Sequence, residues 1–213
     1  MILGARYGYG SVGQICVRCV LDESVPDIWF DKEGECNYCK MHDRLCADNP
    51  NDERGGQTLN TIVQETRLSG EGGGYDVVIG VSGGTDSTYL LHMAVNLGLR
   101  PLAVHLDNGW NTETSAANLR NVLEVLDIDL YTHVINWQEF KDILRAQLRS
   151  GLPWADSPTD LAILAVLYQT AVKFKIKTIF VGNNFPVMAN QMAARMNGRF
   201  TMARIVCGIR IEK

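Results

Sequence analysis

Residues 76–87 read "DVVIGVSGGTDS": an almost wholly apolar run breaks into two glycines flanked by the hydroxyls of Ser82, Thr85 and Ser87, with Asp86 among them. A short apolar run bounded by such a turn predicts a strand buried on both faces. From Asp86 the apolar residues Leu90, Leu91, Ala94 and Leu97 follow helical spacing. A strand that is apolar on both sides is expected at the centre of a parallel sheet, with helices over both faces.

The downstream sequence supplies those neighbours. "PLAVHLD" (101–107), "LYTHVI" (130–135) and "KTIFVG" (177–182) read as three further strands, and 116–126, 137–148 and 159–174 as helices between them. Alternating strands and helices predict a doubly wound parallel α/β sheet with right-handed crossovers. Ligands of such sheets sit beyond the carboxyl ends of the strands, so the informative residues should follow Val81, Leu106, Ile135 and Val181.

Upstream lies a different kind of segment. Cys16-x-x-Cys19 and Cys36-x-x-Cys39, with sixteen residues between the pairs, have the spacing of two knuckles that set four thiolates around one zinc ion, paired disulfides or free thiols being the alternatives. Metal would substitute for the core so small a segment cannot build. Between the knuckles, "DESVPDIWFDKEGE" reads as a hairpin turning at Pro26. Cys46 and Cys207 read as ordinary side chains. Gly8, Gly10 and Gly13 satisfy G-x-G-x-x-G formally, but a knuckle follows them rather than a helix, so they belong to a flexible leader.

The expected organisation is a leader (1–14), a zinc-ribbon-like module (15–46), a linker with a short helix at 62–68 (47–74), the α/β domain (75–185) and a basic C-terminal tail (186–213). The 213 residues have room for one full core and a satellite, and 46% hydrophobic with 21% charged residues is an ordinary globular composition. The net charge of −4 hides an asymmetry. Residues 1–172 carry 12 Lys/Arg against 23 Asp/Glu, −11, while 173–213 carry eight against Glu212, +7. That acidic bulk argues against a nucleic-acid surface, and the tail reads as a solvated face. No run approaches the roughly 18 apolar residues of a membrane span, and "MILGARYGYG" lacks an export signal, so no membrane partner and a cytoplasmic location are expected.

The turn after the first strand carries the chemistry. Gly83 and Gly84 let backbone amides point into a concavity at a helix N-terminus, where an anion is favoured, and Ser82, Thr85 and Ser87 add hydroxyl donors. No lysine stands at the Walker position, so this is not a P-loop of the nucleoside triphosphatases. Asp107 and Asn108 end the second strand, where they are placed to contact a nucleoside, with Trp110 beside them. Gly182 and Asn183 end the fourth, beside the loop. Asp160 in "SPTD" is a candidate magnesium or substrate ligand and equally a first-turn acid favourable to its helix. His92 and His105 read as structural.

"SGGTDS" after a strand resembles the S-G-G-x-D-S signature of the PP-loop ATP pyrophosphatases, the adenine nucleotide alpha hydrolase-like class, at every fixed position. The resemblance implies that Ser82, Gly83, Gly84, Thr85 and Ser87 cradle the pyrophosphate of ATP, and that Asp86 holds Mg2+ or orders the loop. "ICVRCVLDESVPDIWFDKEGECNYC", "HLDNGWNTE", "LDIDLYTHVINWQEFKD" and "SPTD" narrow it: from about residue 15 to 183 the chain resembles the N-acetyl sugar amidotransferases of bacterial lipopolysaccharide and O-antigen biosynthesis. That implies an N-acetylated nucleotide sugar as substrate, its acetamido group becoming acetamidino, with ammonia from a glutaminase-type partner and Trp110 placed to line the pocket of the adenosine or of the sugar. The family continues after the fourth strand with a G-N-x-x-x-E-like pattern and a longer C-terminal region. Here "GNNFPVMANQ" offers no acid, so a C-terminally short member is expected.

Two other readings compete. A tRNA sulfurtransferase would also join a cysteine-rich module to a PP-loop domain, but it calls for more cysteines in the ATPase domain and a strongly basic surface. A non-catalytic zinc-ribbon module with a degenerate ATPase domain would bind metal and no ATP.

Overall fold

A computed structural model of the chain describes residues 13–151 and 156–182, with a short strand at 209–210. These fall into two compact units, 13–55 and 56–182 with 209–210.

The second unit is built on a five-stranded sheet: β1 (Val77–Gly80), β2 (Pro101–Asp107), β3 (Leu130–Val134), β4 (Thr178–Val181) and β5 (Ile209–Arg210), in the order β3-β2-β1-β4-β5. β1 to β4 are parallel, and β5 is antiparallel to β4. The four parallel strands stand where the sequence predicts them. β5 is not expected: residues 186–213 read as a basic tail, and the alternation Ile209-Arg210-Ile211-Glu212 is too short to mark a strand by itself.

Side chains of β1 alternate between two cores, as a doubly wound sheet requires. Val77 and Ile79 pack with Val63 of α2 (Glu53–Ser69), Leu91 and Ala94 of α3 (Thr85–Asn96), and Leu119 and Leu123 of α4 (Glu113–Leu126). Val78 faces the other way, with Val166, Leu167 and Ala171 of α6 (Ser157–Phe174). Each such large apolar side chain contributes about 2 kcal/mol of burial. Between β3 and α6 runs α5 (Trp137–Arg149). Local capping sets the helix starts: the Thr112 hydroxyl accepts from the Ser115 amide at α4, and the Asn136 side chain from the Gln138 amide at α5. Among the described residues no helix is long and apolar enough to cross a membrane.

At the amino end of the sheet the Asp76 carboxylate is buried and clamped by Arg100. Nη2 lies 2.6 Å from Oδ1, and the Arg100 amide and Nε are 2.8 and 3.2 Å from Oδ2. The clamp joins the start of β1 to the residue before β2, while the carboxyl ends stay open.

The small unit carries antiparallel bridges between Ile15 and Asp22 and between Phe30 and Cys36, followed by α1 (Asn37–Asp48). Cys36 caps α1, its sulfur accepting from the Cys39 amide. The helix expected at 62–68 begins nine residues earlier, at Glu53. Two glycines at 55 and 56 mask its start, but the Asp52 carboxylate accepts from the amides of Arg54 and Gly55 and serves as the N-cap.

Candidate functional site

β1 and β4 are neighbours, yet the chain leaves β1 in one direction and returns to β4 from the other, so their carboxyl ends bound a topological switch point. A cleft of about 390 Å³ opens there, lined by Ser82, Gly84, Thr85, Asp86, Ser87 and Gly182.

The loop is braced from inside. The buried Ser87 hydroxyl lies 3.2 Å from the Gly84 carbonyl and 3.3 Å from the Ser82 amide, and the Ser82 hydroxyl accepts from the Gly84 amide at 3.4 Å. Gly84 is the N-cap of α3 and has no side chain to accept from the first-turn amides, which leaves them to a ligand. Gly83 has φ +77 and rests against α4. Gly182 passes so close to α3 that a Cβ there would lie 3.1 Å from the Ser87 amide nitrogen. The exposed Asp86 carboxylate stands in this cleft. Amides, hydroxyls and one carboxylate without a lysine can hold a polyphosphate whose charge a divalent cation shares.

A second cleft of about 390 Å³ lies beyond β2, lined by His105, Asp107, Gly109, Asn111, Ala116, Leu119 and Arg120. His105 ties it to the first. Its Nδ1 is 2.9 Å from the Val81 carbonyl, the residue before the loop. A carbonyl only accepts, so Nδ1 carries the proton, and Nε2 can accept from the Asn111 amide nitrogen 3.2 Å away. Asn111 also donates to Asp107 Oδ1 at 3.1 Å, and the Gly109 amide to the same oxygen at 3.0 Å. A carboxylate, an amide, a guanidinium and an apolar floor can hold the polar edge and ring of a nucleoside.

In the small unit the sulfurs of Cys16, Cys19, Cys36 and Cys39 all lie within 4.8 Å of one another. The Cys16–Cys39 and Cys19–Cys36 separations are 3.9 and 3.7 Å. A metal–sulfur bond of about 2.3 Å places tetrahedral sulfurs about 3.8 Å apart, so the set fits a single ion. An iron–sulfur cubane holds its thiolates on four separate irons and needs them further apart. The amides of Arg18 and Cys36 donate to Cys16 Sγ at 3.4 and 3.3 Å. Burial opposes ionisation of Cys16, yet amides from Arg18, Cys36 and Cys19 lower its thiol from 9.0 to about 6. Burial raises Cys19, and burial with the neighbouring sulfurs raises Cys39. Arg18 pairs with Glu35 and Asp43 and pins the first knuckle to the second and to α1.

The structure thus gathers Ser82, Gly84, Thr85, Asp86, Ser87 and Gly182, with Gly83 behind them, and sets Asp107 in the neighbouring cleft. Asn108 lines neither, its side chain accepting from the Trp110 amide. Asp160 stands in the first turn of α6 and also lines neither cleft. Asn183 lies outside the described residues, as does Cys207. Sequence reasoning passed over Asn111 and Arg120. Asn111 carried a signal, following Asp107 by four residues in a strand-ending loop.

No protein-family model matches the chain, and no curated protein matches it. Among solved structures it is similar to an NMN synthetase from Francisella tularensis, at 22% identity and TM-score 0.45 over 61% of this chain and 53% of that one. An NH3-dependent NAD synthetase from Campylobacter jejuni subsp. jejuni matches at 16% identity and TM-score 0.43, over 70% of this chain and 58% of the other. The U34-tRNA thiolase NcsA from Methanococcus maripaludis, solved with its 4Fe-4S cluster, matches at 15% and 0.45, over 87% and 61%. The chain spans little more than half the length of the first two. At these TM-scores the likeness is loose, and the functional reading rests on the loop itself.

Proposed function

We propose that the chain is a PP-loop amidotransferase that uses ATP to convert the acetamido group of an N-acetylated nucleotide sugar into an acetamidino group, in the cytoplasm, for lipopolysaccharide or O-antigen. The observation that carries the ATP reading is the lysine-free Ser82–Ser87 loop, braced by Ser87 and opening on Gly182 at the switch point. The sugar reading rests on the likeness of "HLDNGWNTE", "LDIDLYTHVINWQEFKD" and the cysteine module to that family.

An amide carbon is a poor electrophile, and ammonia does not displace its oxygen directly. The acetamido oxygen attacks the α-phosphorus of ATP, the α–β bridging bond breaks, and pyrophosphate leaves into the amides and hydroxyls of the loop. Ammonia then adds to the activated carbon, and AMP departs with the former carbonyl oxygen. Asp86 would hold Mg2+ against the phosphates, Asp107 would meet the nucleoside, and Asp160 would serve only if substrate draws near the start of α6. The chain supplies positioning and charge stabilisation rather than a covalent nucleophile. Ammonia would come from a glutaminase-type subunit, and the four cysteines would hold a structural Zn2+.

The test is pyrophosphate and AMP formation from ATP with ammonium and a panel of N-acetylated nucleotide sugars. Sugar-dependent release that falls at least about a hundredfold in Asp86→Ala is expected. ATP binding without pyrophosphate release for any sugar in the panel would sink the reading.

A further inference from the structure

Trp110 and Trp137 are 65% and 42% exposed, yet they pack against one another: ring centroids 5.9 Å apart, planes at 69°. They stand at the carboxyl ends of neighbouring strands. The Ile135 amide donates to the Asp107 carbonyl at 3.0 Å, so the chain leaves β2 and β3 side by side and brings the two indoles together. Each has its own brace: the Trp110 amide donates to the Asn108 side chain at 3.1 Å, and Trp137 opens α5 behind the Asn136 cap. Gly109, next to Trp110, lines the second cleft with Asp107 and Asn111.

Two large rings held edge to face and open to solvent suit a flat ligand with an apolar C–H face and a polar rim. A pyranose has that character. We propose that Trp110 and Trp137 form the platform on which the N-acetylhexosamine ring of the acceptor stacks. This rests on the amidotransferase reading and adds to it the residues that select the acceptor.

The test uses the full chain. Binding of UDP-N-acetylglucosamine, UDP-N-acetylgalactosamine and ATP is followed by tryptophan fluorescence and calorimetry for wild type, Trp110→Ala, Trp110→Phe and Trp137→Ala. At least one sugar nucleotide should bind about tenfold more weakly to Trp110→Ala, within about threefold of wild type to Trp110→Phe, and ATP affinity should hold in all. Sugar affinity unchanged in Trp110→Ala, a parallel loss for ATP that would mark an adenine stack, or no sugar nucleotide bound by wild type would each overturn the platform. Pyrophosphate release is measured on the same proteins. Release that is sugar-dependent and insensitive to both tryptophans removes the platform and leaves the amidotransferase standing, whereas sugar binding without release does the reverse.

Discussion

A Cβ on Gly83 would lie 2.2 Å from the carbonyl oxygen of Ser115, in the first turn of α4. The loop after β1 is thus seated directly on the helix after β2, and Gly83 also has φ +77. Gly83→Ala meets a backbone atom and a disfavoured conformation at once, and should cost about 2 kcal/mol or more of stability in urea unfolding. Gly84 has an ordinary φ of −83, and its Cβ would meet only the Ser82 hydroxyl, at 3.4 Å. Gly84→Ala should keep near-wild-type stability while weakening ATP binding, because the added methyl stands where the phosphates approach. Equal stability loss in both variants would contradict the distinction.

Asp76 sets the opposite end of the sheet. Its carboxylate side chain is 1% exposed and receives three donors from Arg100, which also donates to the carbonyls of Gly70 and Gly73. Removing one side of such a pair leaves the other without its partner. Asp76→Ala should lose about 3 kcal/mol in chemical denaturation, while the purified folded fraction still binds ATP, since the clefts lie at the other ends of the strands. Loss of ATP binding with normal stability would be the wrong result.

How much of this could be read from the chain alone depended on whether the signal was local. β1, β2 and β4 were legible because Val77–Ile79, Leu102–Val104 and Ile179–Phe180 are buried on both faces and so appear as unbroken apolar runs, whereas the edge strand β3 has no buried residue and carries a weaker signal. The loop was legible because two glycines, three hydroxyls and an aspartate fall within six residues. α2 was obscured by its glycines, with Asp52 doing the capping. The link from His105 to Val81 and the contact of Gly83 with Ser115 join residues 24 and 32 positions apart, and no periodicity encodes such pairings. Asp160, singled out from its local motif, lines neither cleft.

His105 connects those clefts. Its Nδ1–H donates to Val81 at the root of the loop, and its other nitrogen faces Asn111. His105→Ala removes the donor and should cost about 1 kcal/mol in stability. It should also raise KM for ATP more than it lowers kcat, because the loop and the second cleft lose their common brace. His105→Asn, which keeps a short donor, should recover part of both. A kcat loss with KM unchanged would instead make His105 part of the chemistry.

The four-cysteine unit should bind its metal in competition with protons, and the directions of the thiol shifts say which protons. Cys16, lowered to about 6, favours the thiolate. That shift stabilises the metal-free fold above the ordinary thiol range and loses its contribution as pH falls through about 6. Cys19 and Cys39 are raised, so their contribution to the metal-free fold is present at low pH and fades as pH rises. At neutral pH Cys16 is therefore largely ionised, while Cys19 and Cys39 must surrender protons to the ion. Apparent zinc affinity, measured by competition with a chelating dye, should increase from pH 6 to 8 and drop more steeply below about 6, where Cys16 also protonates. Proton release counted in weakly buffered solution at pH 7 should be reduced by Cys39→Ser. Affinity independent of pH over this range would contradict the assignment of the four sulfurs as ligands to one ion.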